Sequence, residues 1–128
     1  MSEPRDTLVR YRMERANEAL EEARLMANAD HWNACVNRLY YACFYAASAL
    51  LSAHDLSSAK HSGVRSLFGE HFVRTGLIPK DLAACYNELF DRRQQSDYED
   101  FFHADAAVVG PWIEKAEGFL EGVESLLR

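Results

Sequence analysis

Arg93 is the side chain with the most chemistry to offer and the least expected surroundings. Leu82, Tyr86, Leu89 and Arg93 recur three or four residues apart, so a helix puts the guanidinium at the end of an apolar seam. An arginine in that place either snorkels to solvent or pairs with a carboxylate, and Asp97, four residues on, is the available partner. A second polar feature lies upstream. Asn33, Asn37, Tyr41 and Ser48 form a polar stripe on an otherwise apolar segment. Such groups must be hydrogen-bonded or solvated in a cleft. A satisfied core network and a local Arg93–Asp97 ion pair are the plainer readings of these two features. The other is that they face each other, with Arg93 and Tyr98 lining a cleft shared with Asn37 and Tyr41.

Other chemistries are poorly supported. A di-iron site in a helical bundle needs two Glu-x-x-His pairs and two further carboxylates. The sequence has one distant imitation, Asp100-x-x-His103, while His31, His54, His61 and His71 lack ligand spacing, so no metal is expected. No G-x-G-x-x-G or G-x-x-x-x-G-K-[ST] loop occurs, and no cofactor is implied. Cys35, Cys43 and Cys85 fall on apolar helix faces, where a thiol is expected to be buried and inert.

The elements that must position these residues are helices. Leu8, Tyr11, Arg15, Ala19, Ala23 and Met26 mark a first amphipathic segment, and Asp30 is placed to N-cap the next. A second helix, about His31 to His54, is apolar round most of its circumference and is expected at the centre of a bundle. A short third helix should start after Ser57 or Ser58 and run to about Arg74. Gly76 then takes the left-handed C′ position, with Leu77 folding back on Phe72. Pro79 opens a fourth helix. A loop through Tyr98-Glu99-Asp100-Phe101 leads to a last helix between Asp105 and Leu127, which Gly110-Pro111 either kinks or begins. In it, Trp112, Ala116, Phe119, Val123 and Leu126 point inward. The expected fold is all-α, an antiparallel bundle of four long helices plus one short helix, with residues 1–128 as a single helical domain.

Composition bounds the function. The 128 residues carry 14 Lys+Arg against 20 Asp+Glu, a net charge of −6, which disfavours a general nucleic-acid coat protein but leaves room for a basic cleft. Three cysteines without C-x-x-C spacing make a disulfide scaffold or structural zinc improbable and fit a reducing cytoplasm. The charged start has no apolar region behind it. The most apolar stretch, Tyr40 to Leu51, is about a dozen residues, short of the roughly 20 that a bilayer needs. No membrane association is expected.

Several segments carry a family resemblance. Asn37-Arg38-Leu39-Tyr40-Tyr41-Ala42-Cys43-Phe44-Tyr45-Ala46-Ala47 resembles the second-helix signature of small HEPN-domain proteins. Lys60-His61-Ser62-Gly63-Val64, Phe72-Val73-Arg74-Thr75-Gly76 and Pro79-Lys80 resemble the same family's middle section. Arg93-Gln94-Gln95-Ser96-Asp97-Tyr98 is similar to its Arg-x-x-x-Asp-Tyr element, and Ala116-Glu117-x-Phe119 to its last helix.

The resemblance implies a homodimer in which the fourth-helix motifs face each other across a cleft. It also implies a minimal nucleotidyltransferase as partner, in a toxin–antitoxin-like or defence pair. Many such domains are metal-independent endoribonucleases whose motif is Arg, four to six residues, then His. Here Tyr98 stands where the histidine should be, and His103 falls outside the window. Metal-free RNA cleavage needs one group to take the 2′-OH proton, another to protonate the leaving oxygen and a cation for the phosphorane. Arg93 can supply the cation. Tyr98, with an ordinary phenol pKa near 10, is a poor base near pH 7, and Lys60–His61 or His103 can substitute only if the fold brings them to the cleft. Arg93, Asp97, Asn37, Tyr41, Lys60 and His61 are thus the expected RNA- or nucleotide-binding residues, with Arg93 and Tyr98 catalytic if cleavage occurs. An interaction module that docks a nucleotidyltransferase without catalysis is the alternative.

Overall fold

The computed structural model describes residues 3–98 and 104–128, and of residues 94–98 the backbone alone. The side chains of Asp97 and Tyr98, the Glu99–Phe101 part of the expected loop and the Asp100-x-x-His103 pattern therefore lie outside the described residues. Five helices follow in order: α1 Glu3–Asn28, α2 Trp32–Ala53, α3 His61–Phe68, α4 Lys80–Tyr98 and α5 Ala106–Leu127. No strand occurs among the described residues. The fold is all-α, as the periodicity predicts.

Cross-helix contacts fix the directions. Arg5 pairs with Asp55, Arg15 lies over Tyr45 and Arg38 reaches Glu22, so α1 and α2 run antiparallel. Cys43 beside Cys85 and Tyr41 beside Arg93 set α4 antiparallel to α2, and Tyr86 with Phe119 and Arg92 with Trp112 set α5 antiparallel to α4. Arg24–Glu117 and Asn17–Glu124 close the bundle between α1 and α5. α2 is the central element, packing on α1, α3, α4 and α5. Thirteen of its 22 residues are buried, which is what apolar character on nearly every face requires. Ala16, Ala19 and Ala23 on α1 and Ala42, Ala46 and Ala49 on α2 are fully or almost fully buried. These small side chains allow close helix approach.

Several local expectations are corrected. Leu8 and Tyr11 are 41% and 57% exposed, because α1 buries the stripe Met13, Ala16, Leu20, Ala23, with Val9 packed at its edge. Asp30 is no N-cap. It takes φ 61° at the C′ position of α1, where its N–H bonds Ala27 O and that of His31 bonds Met26 O. Asp55 repeats the device at the end of α2, with φ 58°.

α3 begins at His61, later than expected, and runs on through a π-helical turn, Gly69–Val73. Gly76 does take the left-handed conformation, at φ 83°. However, Ile78 folds back, donating its N–H to Phe72 O and burying its side chain, while Leu77 is 53% exposed. Gly110-Pro111 neither begins α5 nor interrupts it. The helix starts at Ala106, with Asp105 accepting a hydrogen bond from Val108 N–H.

Candidate functional site

Of the polar stripe expected on α2, Tyr41 alone meets Arg93 on α4 among the described contacts. The Arg93 guanidinium carbon lies 5.0 Å from the Tyr40 ring centroid and 5.5 Å from that of Tyr41. Its Nη2 stands 3.4 Å from Tyr41 Oη, a long hydrogen bond. A cation at this distance from two rings set at 75° to each other is attracted by the quadrupoles of both. Tyr41 takes a second cation, Arg38, at 5.1 Å, and Tyr45, one turn on, takes Arg15 at 5.2 Å. The half-buried rings of Tyr41 and Tyr45 thus form an arginine-flanked strip on the surface of α2.

α3 adds a histidine to this floor. His61 Nδ1 and Tyr40 Oη are 2.9 Å apart, and the imidazole stacks on Phe44 at 4.2 Å between centroids. α3 starts where it does because Ser58 Oγ accepts a hydrogen bond from Lys60 N–H and packs against Gly63; a Cβ on that glycine would lie 2.8 Å from Ser58 Cβ. Burial, and then the charge of Arg93, lower the His61 pKa from 6.5. The ring is therefore neutral near pH 7 and suited to accept a proton.

The depressed pKa has a consequence for stability. Between the folded value and 6.5 the unfolded chain binds a proton that the native chain does not. The stability linked to His61 is whole above pH 6.5 and is lost as pH falls through the folded value. The gap in thermal midpoint between wild type and His61→Gln should therefore change in His61→Gln's favour from about pH 7 to pH 5. A gap constant across that range would contradict the assignment.

The other expected site residues divide. Tyr41 and His61 converge with Arg93. Asn37 lies one turn from Tyr41, but its Oδ1 accepts from Arg38 at 2.8 and 3.1 Å, so it braces that arginine. Asn33 accepts from Ala104 N–H at 2.7 Å, tying α2 to the segment before α5. Lys60 is exposed at the N-cap of α3. Arg92 turns away, bonding Glu88 at 3.1 Å and covering Trp112. Tyr40, the residue that joins Arg93 to His61, was not singled out by the sequence. Among the described residues no cluster of His, Cys, Asp or Glu is arranged to hold a metal. The three cysteines are buried and unbridged, and burial pushes Cys35 up to about 11.

The sequence pattern of the HEPN domain matches residues 9–126. The chain belongs to the HEPN family. Three curated relatives place this HEPN chain further. It is 42% identical to a UPF0332 protein of Thermotoga maritima, over 97% of this chain and 94% of that one. It is 37% identical to a UPF0332 protein of Gloeobacter violaceus, over 73% and 72%. A proposed toxin of Methanocaldococcus jannaschii is 33% identical over 68% of this HEPN chain and 59% of its own length. No described helix is long and apolar enough to cross a membrane.

Proposed function

We propose that this HEPN chain is one member of a toxin–antitoxin-like pair and binds RNA at Arg93. One observation carries the reading: the Arg93 guanidinium spread over Tyr40 and Tyr41, with neutral His61 bonded to Tyr40. A guanidinium held beside aromatic rings remains able to grip a phosphate with its N–H fork, and the arginines gathered along Tyr41 and Tyr45 add cationic charge for the backbone of a single strand. The similarity to proposed toxins supports the setting. The chain acts as a single HEPN-like domain in a cytoplasmic homodimer, the Arg93 clefts meeting across the twofold axis and a nucleotidyltransferase as cognate partner. Strand scission, where it occurs, is metal-independent. His61 takes the 2′-OH proton and Arg93 stabilises the phosphorane, with the resulting imidazolium available to protonate the leaving oxygen. A non-catalytic module that docks the nucleotidyltransferase is the second reading, favoured by the net charge of −6.

The test is a short single-stranded RNA titrated with pure protein across a salt series, with sedimentation at micromolar concentration and a parallel incubation in EDTA. A dimer that binds RNA more weakly as salt rises, with slow cleavage that EDTA does not stop, is the expected result. A well-folded dimer that ignores RNA at low salt would give the case to the docking module. Sedimentation at monomer mass would remove the shared cleft.

A further inference from the structure

We propose a second phosphate site on this chain, in a hollow of about 350 Å³ between the π-helical turn and α4, where Arg65, Arg74 and Lys80 converge to hold another phosphate of the same RNA strand. The inference rests on the RNA-binding reading for its ligand, but on different residues. No acidic side chain lines the hollow. Arg5, Arg15, Arg24, Arg38 and Arg92 all find carboxylates, as expected for an acidic chain. Arg74 and Lys80, like Arg10 and Lys60, make no side-chain hydrogen bond or ion pair to any described residue, but they do so beside each other and Arg65. Arg65 reaches Asp91 only at 3.9 Å. Like charges gathered with only this one distant counter-charge repel one another, and an anion between them relieves that repulsion.

Tyr86 forms part of the wall of the same hollow. It is 1% exposed, and its hydroxyl has no hydrogen-bond partner among the described residues. A buried hydroxyl left unpaired is costly, and a water or anion entering the hollow would relieve that cost. The backbone builds the walls. The π turn Gly69–Val73 delivers Arg74 at its end, and the left-handed Gly76 reverses the chain so that Lys80 opens α4 across from it. A Cβ on Gly69 would meet nothing within 4 Å, so that side is open. Arg65 links the hollow to the first site. Its guanidinium covers Phe90 at 4.0 Å, and Phe90 packs edge-on to Tyr40, which carries Arg93.

The experiment uses the double variant Arg74→Ser/Lys80→Ser, whose side chains are exposed and whose loss spares the fold, as an unchanged unfolding midpoint will verify. Titrated with the short single-stranded RNA, it should bind about tenfold or more weakly than wild type, and its salt slope should be shallower by roughly 1.4, at about 0.7 per lost contact on a single strand. A second arm titrates inorganic phosphate and follows the amide resonances of Gly69, Gly76 and Lys80. Shifts in wild type that vanish in the variant are expected. RNA binding with unaltered affinity and slope, together with unmoved amides, would overturn the second site. Phosphate shifts at those amides in a protein that ignores RNA would sustain the site and overturn the RNA reading instead.

Discussion

Arg93→Ala will lose RNA binding by about two orders of magnitude or more while remaining folded. A hydrogen bond to a charged group contributes about 1.5–3 kcal/mol, so loss of the fork that grips a phosphate is a loss of roughly 100-fold from one subunit alone. The structural cost is smaller. Arg93 is half-buried, and its contacts include the Tyr40 and Tyr41 rings and the long bond to Tyr41 Oη. Cation–π contacts of this kind are worth about 0.5–2 kcal/mol. Arg93→Lys should keep the charge but not the bidentate edge and recover part of the affinity. Anisotropy titration alongside urea unfolding separates the effects. Binding that merely tracks the folded fraction would make Arg93 a structural residue, and a folded Ala variant with wild-type affinity would end its role in the site.

The second large effect is on stability. Phe119 is fully buried on α5, its ring 5.3 Å from Phe68 and 5.6 Å from Tyr86 between centroids. It joins α3, α4 and α5 in one aromatic cluster. Phe119→Ala should cost about 3–5 kcal/mol, transfer and cavity terms together. Against a typical total of about 5–15 kcal/mol, that threatens the fold. Urea unfolding should show a much lower midpoint with an unchanged slope. Leu77→Ala, at a side chain 53% exposed, serves as the contrast and should move stability by less than about 0.5 kcal/mol. Comparable losses in both would mean that the Phe119 cavity refills.

Particular residues show what was legible in the sequence. α2 was readable because it is apolar on nearly every face, and such a helix has only the centre of a bundle to go to. α1 was half readable. Leu8 and Tyr11 compete with Val9 and Met13 as the inward stripe, and only the tilt of α1 against α2 and α5 decides between them. The same limit applies to the site. Arg93 and Tyr41 stand out because polar groups on apolar stripes need a reason. Tyr40 does not, since its role depends on His61 arriving from α3 and Arg93 from α4. Its neighbour in sequence, Tyr41, carried the polar stripe and drew the attention. The π turn had no signal at all: Gly69-Glu70-His71-Phe72-Val73 has the periodicity of an ordinary helix end.

The two corners of the bundle speak about the history of the sequence. Asp30 and Asp55 both hold a left-handed backbone that glycine would adopt without strain. Asp55 recovers something for it through Arg5, whereas Asp30 is exposed and makes no ion pair among the described residues. A chain that keeps aspartate at such a corner has not been selected for its last increment of stability. It sits above a threshold, with room left to drift upward or to absorb a costly change elsewhere.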